Sequence, residues 1–322
     1  MLSLSIAQLI MAHLSTASLP SATTLCSAIL LGLALLQPRG GHAQGYAEGI
    51  SLSYEALPLR LGTGTEAHFR AAIYRASLIS PIAMAADSSR SLLVGASMET
   101  LRFSGERPGF GAGSVFGFSP ILGYRRRLSA NAELTALALP ALNSDLRDVR
   151  FADVTWGGVG RLVYRHSPRL ATRLTLGYRQ QFYGPQYVLL LGLDWRPAAR
   201  WRVFGDLPTS LTVSYRATPR LNAGFNLSGI NTAYRLQLQD QYLQYQQGHY
   251  GLFAEAGLRT HWVLRGTIAY AVTRRIGVYA RDQQWPATID YIGLGAAPLP
   301  SSPPLTKGPA LKLALSYRIA GK

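Results

Sequence analysis

The segment Leu311-Lys312-Leu313-Ala314-Leu315-Ser316-Tyr317-Arg318-Ile319 decides the fold. Leu311, Leu313, Leu315, Tyr317 and Ile319 fall on one side of it, and Lys312, Ala314, Ser316 and Arg318 on the other. A period of two marks a β-strand with unlike faces, because successive side chains of a strand point to opposite sides of the sheet. The same alternation runs back through the chain. Leu170, Thr172, Leu174, Leu176 and Tyr178 oppose Ala171, Arg173, Thr175, Gly177 and Arg179. Leu189, Leu191, Leu193 and Trp195 oppose Leu190, Gly192, Asp194 and Arg196. Phe225 and Leu227 oppose Asn226 and Ser228, and Leu252, Ala254 and Ala256 oppose Glu255 and Gly257. From about Gly49 onward no stretch keeps the 3.6-residue period of a helix.

The two faces differ in a telling way. One is apolar and often ends in an aromatic residue, as at Tyr124, Tyr178, Trp195, Trp262 and Tyr317. The other carries Gly, Ser, Thr, Asn and Arg. An apolar band edged by aromatic girdles around a polar interior describes a transmembrane β-barrel. A soluble sandwich has the opposite bias, and only 15% of the 322 residues are charged, which is thin for a soluble surface. The composition, with 48% hydrophobic residues, also argues against disorder.

A turn pattern recurs: an aromatic residue closes a strand, Arg follows, and Leu or Trp opens the next strand. Examples are Tyr164-Arg165-His166-Ser167-Pro168-Arg169-Leu170, Trp195-Arg196-Pro197-Ala198-Ala199-Arg200-Trp201 and Tyr215-Arg216-Ala217-Thr218-Pro219-Arg220-Leu221. The other connections, near 104–113, 143–153, 237–248 and 282–309, are longer and polar, and the glutamine-rich one at 237–248 is positioned to cover a mouth. Short turns at one rim and long loops at the other fit an outer-membrane barrel. The fold class expected is therefore all-β: a single transmembrane antiparallel β-barrel of about 12–14 strands, the number being even if both ends lie on the periplasmic side.

The barrel is expected over residues 44–322, behind a signal peptide at 1–43. Ala28 to Leu36 form a nine-residue apolar run, too short to span a bilayer, and Gly41 and Ala43 make a small-x-small cleavage site. Cys26, the one cysteine, precedes that run and has no small residue before it, so it does not fit a lipoprotein signal. The mature chain would then carry no cysteine, which excludes a disulfide framework.

The net charge is +16, and all 32 basic residues except Lys307, Lys312 and Lys322 are Arg. They are spread along the chain and not clustered, so a nucleic-acid partner is not expected. No enzyme signature stands out: His166-Ser167 lies in a turn, and His68, His249 and His261 lack metal-ligand spacing. Asp145 and Asp148 sit in a loop, and Gly109-Phe110-Gly111-Ala112-Gly113 does not join a strand to a helix. Neither a cofactor nor a metal is expected.

The sharper expectation concerns the lumen. The alternation puts Arg161, Arg165, Arg173, Arg179, Arg202, Arg216, Arg265, Lys312 and Arg318 on the polar face, with Asp194 and Glu255 among the few opposing acids. Lipid-facing Arg costs about 2–4 kcal/mol at the midplane, so these charges belong inside. An open lumen of this kind favours small anionic solutes. Two other arrangements fit the same residues: ion pairs that pack the lumen shut, and Arg at the rim touching anionic lipid of the outer membrane.

Some runs also carry a family likeness. They are Ser119-Pro120-Ile121-Leu122-Gly123-Tyr124-Arg125, Leu134-Thr135-Ala136-Leu137-Ala138-Leu139-Pro140 and Ser144-Asp145-Leu146. Further on come Phe182-Tyr183-Gly184-Pro185, Leu190-Leu191-Gly192-Leu193-Asp194-Trp195, Trp201-Arg202-Val203-Phe204-Gly205 and Leu207-Pro208. With the closing strand they resemble a family of bacterial outer-membrane β-barrel proteins classed only as a domain of unknown function, over roughly 115–319. The resemblance implies a barrel in the Gram-negative outer membrane, inserted by the barrel-assembly machinery, and no particular activity.

Overall fold

A computed structural model describes residues 46–60, 68–84, 89–105, 112–237, 240–258, 261–302 and 304–320. The expected signal peptide with Cys26 and the glycines at 109 and 111 lie outside the described residues.

The chain runs as β1 (Tyr46–Arg60), β2 (His68–Ala83), β3 (Arg90–Gly105), β4 (Ser114–Arg127) and β5 (Ala132–Ala138), then the short β6 (Ala141–Ser144) and β7 (Val154–Thr155). It continues through β8 (Gly157–Ser167), β9 (Leu170–Gln181), β10 (Gly184–Ala198), β11 (Trp201–Leu207), β12 (Ser210–Arg216) and β13 (Leu221–Leu236). The last elements are β14 (Gln241–Gly257), β15 (Trp262–Ala280), a small hairpin of β16 (Ala287–Ile289) and β17 (Ile292–Leu294), and β18 (Gly308–Ala320). Fourteen of these make a closed antiparallel wall, with β18 pairing back onto β1. The even number brings Tyr46 and Ala320 to the same rim, called here the inner rim.

Register fixes which residues meet lipid. Leu189 stands opposite Leu176 and Leu191 opposite Leu174, and Ile268 lies between Leu252 and Leu311. All face away from the barrel, and Leu252 and Ile268 are 70% exposed. So continuous an apolar exterior is stable only in hydrocarbon. Aromatic pairs stud the outer surface: Tyr54–Tyr74 at 5.2 Å, Trp201–Tyr215 at 5.0 Å and Trp262–Tyr317 at 5.3 Å between ring centres. The inner-rim turns are short, as their sequence pattern indicates. In one of them the Ser129 hydroxyl accepts from the Asn131 and Ala132 N–H groups.

One expectation about the wall needs correction. The glutamine-rich stretch is strand, not loop: from Gln241 it continues β14, with Gln244 opposite Ala233 and Gln247 opposite Ile230. Its own alternation of Tyr242, Gln244 and Gln246 against Leu243, Tyr245 and Gln247 is a strand pattern hidden by polar composition. The outer rim is also uneven, because β11 and β12 are only seven residues long and turn back at Pro208-Thr209. Above that turn, the outer part of β10 and the part of β13 beyond Gly229 have no wall strand between them.

The β16–β17 hairpin occupies that notch. β16 pairs in parallel with β10, at Gln186↔Thr288 and Tyr187↔Ile289, and the Tyr291 hydroxyl donates to the Gly229 carbonyl of β13 at 2.7 Å. Ile289 and Ile292 face outward and restore the apolar exterior. Gly184, at φ +115°, permits the close approach, since a Cβ there would lie 2.3 Å from the Trp285 carbonyl oxygen.

Replacing Leu191 by Arg, mid-wall on the lipid face, is expected to lower folding stability in vesicles by about 2–4 kcal/mol, whereas Leu258→Arg at the inner-rim turn costs under about 1 kcal/mol. Denaturant titration of both variants in the same lipid checks the contrast. Gly184→Val is expected to lift the hairpin from its seat, read as faster amide exchange at 285–294 with the rest of the wall unchanged.

Candidate functional site

The lumen is divided along its length. Its inner part is a half-enclosed cavity of about 270 Å³. Its polar lining includes Ser53, Thr212, Asn226 and Ser228, and its charged lining is Arg265, Lys312, Arg318 and Glu255. Arg318 grips Glu255 with two bonds of 2.7 and 2.6 Å, and Asn222 adds a third at 3.0 Å. The Arg265 guanidinium lies 3.7 Å from the centre of the Phe253 ring. Three cations to one carboxylate leave this basin positive.

The opposite wall holds further charges the alternation singled out. Asp206 is shared by Arg173 at 3.0 Å and Arg161 at 3.3 Å, and Arg173 also donates to the carbonyls of Gly205 and Leu193. Arg202 holds Asp194 with two bonds of 2.9 and 2.7 Å. Arg165 and Arg216 lie exposed at the inner mouth, and Arg179 is half-buried toward the outer end of β9. Arg161, Arg173, Arg202 and Arg318 each clasp a carboxylate, and Arg318, Arg265 and Lys312 also line the basin.

Above the basin sits a cluster that the sequence did not reveal. Arg75 bridges Glu55, at 2.9 Å, and Glu99. Tyr234 donates its hydroxyl to Glu99 from across the barrel, Gln247 donates to Glu55 at 3.2 Å, and Tyr245 donates to Gln247 at 2.8 Å. Glu55 is 2% exposed. Register is the signal that would have found the cluster: Arg75 lies opposite Glu99 on β3 and next to Glu55 on β1, all on inward faces.

Beyond this cluster the polar-lumen expectation fails. Leu57, Leu59, Phe69, Ile73, Leu101, Phe103, Leu243, Ile276 and Val278 are buried in one apolar core inside the outer half of the barrel. The outer mouth is bridged as well: Arg235 of β13 meets Ser144 of β6, and the Asp145 N–H donates to the Arg235 carbonyl at 3.0 Å. Asp153, fully buried, receives Gln237 at 2.6 Å and faces Arg235 at 3.6 Å. The physical reason is width. About eight strands make an interior that side chains alone can fill, and sixteen to eighteen leave a channel. Fourteen fall between, and here the outer ends of β13 and β6 meet across the gap.

The chemistry-bearing residues divide clearly. His166 and Ser167 stay in their turn, where the His166 ring bonds Thr172 at 2.9 Å. Asp148 pairs with Arg150, and among the described residues no group of three His, Asp, Glu or Cys side chains could hold a metal. One pair was missed in the sequence: Ser228 and His249 meet in the basin at 2.9 Å. The other ring nitrogen, Nδ1, makes no hydrogen bond, so the pair lacks the third group that orients a hydrolase histidine.

Arg75→Met is expected to leave two inward carboxylates without a counter-charge and to cost about 3–5 kcal/mol of stability, measured by denaturant unfolding of the folded barrel. Tyr234→Phe, which removes one donor from Glu99, is expected to cost about 1–3 kcal/mol in the same assay.

Known proteins can now be set beside this geometry. The family model described as "Domain of unknown function (DUF6268)" matches residues 113–285, more than half of the chain. None of the curated proteins compared with the chain matches it. Among solved structures, an outer membrane channel from Pseudomonas putida F1 is 9% identical, with a TM-score of 0.43 over 88% of this chain and 100% of that one. The P. putida toluene transporter TodX is 10% identical, with a TM-score of 0.39 over 85% of this chain and 91% of that one. The NanC porin is 8% identical, with a TM-score of 0.38 over 84% and 100%. With the family model covering β4 to β15 of a closed fourteen-strand wall, the chain belongs to the DUF6268 family, a family of unknown function.

Proposed function

We propose that the protein is a small-solute channel of the Gram-negative outer membrane that favours anions, held closed in this structure. In this reading a signal peptide at 1–43 directs export, and the barrel-assembly machinery inserts the remainder. The observation that carries the proposal is the inner basin, where Arg265, Lys312 and Arg318 face a cavity of about 270 Å³ against the single carboxylate of Glu255. A low-dielectric wall focuses such a field, raises the local anion concentration and lowers that of cations. The Arg75 cluster and the apolar core would be the closed constriction above it.

A second reading is a non-conducting barrel whose outer loops bind a partner. The filled outer half favours it, as do the two carboxylates that face Arg75, since they make that level of the lumen net negative.

Planar-bilayer recording of refolded protein under a salt gradient separates the two. The channel reading expects conductance with a reversal potential on the anion side. Arg265→Glu with Lys312→Glu should move that potential toward cations without changing the heat-modifiable folded band. Silence from demonstrably folded wild type, and equally from a variant that opens the seal such as Leu243→Ala with Tyr234→Ala, would overturn the channel reading.

A further inference from the structure

A second set of basic residues lies on the outside of the barrel, apart from the lumen. Arg60 ends β1 on the same face as Tyr54, which points to lipid. Arg70 of β2 is opposite Pro58 of that face, and Arg102 of β3 is opposite Ala72. Lys307 directly precedes β18, and its neighbour Thr306 is fastened to the end of β1, the N–H at 3.0 Å and the hydroxyl at 3.4 Å from the Arg60 carbonyl. Lys307, Arg60, Arg70 and Arg102 are all exposed, and they sit on four consecutive wall strands at the outer rim. Among the described residues, the outward faces of these four strand ends carry no Asp or Glu.

Position and sign together select a partner. Register leaves Arg70 four residues beyond Tyr74, and Arg60 six beyond Tyr54, on the side away from both chain ends. That is the level of the headgroups in the leaflet facing outward, where a lipid-facing Arg costs little. Four like charges on adjacent strands repel one another unless an anion lies among them. The guanidinium fork matches the paired oxygens of phosphate bidentately.

We propose that Lys307, Arg60, Arg70 and Arg102 form a docking row for the phosphate groups of lipid headgroups in the outer leaflet. The row holds the lipid against the seam where the barrel closes, between β18 and β1. This assignment rests on the barrel spanning a membrane and is independent of whether the lumen conducts.

The test is lipid retention by full-length folded barrel in detergent, read by native mass spectrometry. The probe is a bis-phosphorylated, acylated disaccharide, compared with the same glycolipid after phosphate removal and with inorganic phosphate alone. Wild type should retain the phosphorylated lipid and release the dephosphorylated one. The quadruple variant Lys307→Gln, Arg60→Gln, Arg70→Gln, Arg102→Gln should lose at least about tenfold in apparent affinity. A charge-matched variant of the inner rim, Arg126→Gln, Arg127→Gln, Arg169→Gln, Arg220→Gln, should keep wild-type retention. The heat-modifiable band establishes that each variant is folded. The proposal is overturned if wild type retains no lipid, if the two quadruple variants behave alike, or if inorganic phosphate displaces the lipid at equal concentration.

Discussion

In hydrocarbon no water is present to satisfy an unpaired backbone N–H or C=O, so every strand edge within the membrane must find a partner. The wall depends on this constraint at two places. At the seam, β18 pairs with β15 on one side and β1 on the other, so the sheet has no free edge. At the notch, where β11 and β12 stop after seven residues, the freed edge of β10 is taken up by β16 and the Gly229 carbonyl by Tyr291. The long connection between β15 and β18 is therefore part of the wall, and its apolar residues Ile289 and Ile292 are explained by what they face.

The interior answers to a different constraint, the cost of leaving apolar surface against water. The inward face of β1 is polar near the inner rim and apolar beyond Glu55, as the change from Ser51 and Ser53 to Leu57 and Leu59 shows. An apolar-lined tube of this width would not stay open in water, and the outer half closes on itself. The Arg75 cluster lies at the border. It is polar enough to end the wetted basin and well enough paired to sit beneath a dry core. Basin, cluster and core are one gradient along the same strands.

This gradient also explains what was legible in the sequence. The fold was legible because one face of every wall strand meets lipid, and that contrast survives in any window of nine residues, as in 311–319. The apolar core was not, because a strand with Leu57 and Leu59 inside and Pro58 and Arg60 outside still alternates, and alternation alone does not say which face is which. The pairing of Ser228 with His249 and of Arg75 with Glu55 and Glu99 depends on register between strands, which a single strand's pattern does not carry. In β14 the glutamines fall on both faces, at 244 and 246 and at 241 and 247, so polar composition masks the strand period.

The preference for Arg over Lys follows from the same shortage of partners. Lys offers a point charge, whereas Arg spreads five donors over a plane and satisfies several acceptors at once. Arg173 shows the use: one side chain serves Asp206 and the carbonyls of Gly205 and Leu193. Arg274 shows it more plainly. Prolines at 58 and 309 remove ladder donors near the outer end of the seam, and Arg274 reaches from β15 to the carbonyls of Pro58, Gly308 and Pro309 at 3.0, 3.1 and 2.8 Å. A guanidinium there supplies hydrogen bonds to carbonyls where the ladder lacks N–H donors. Much of the chain's positive surplus is in this sense structural: it stitches carbonyls where the wall is irregular.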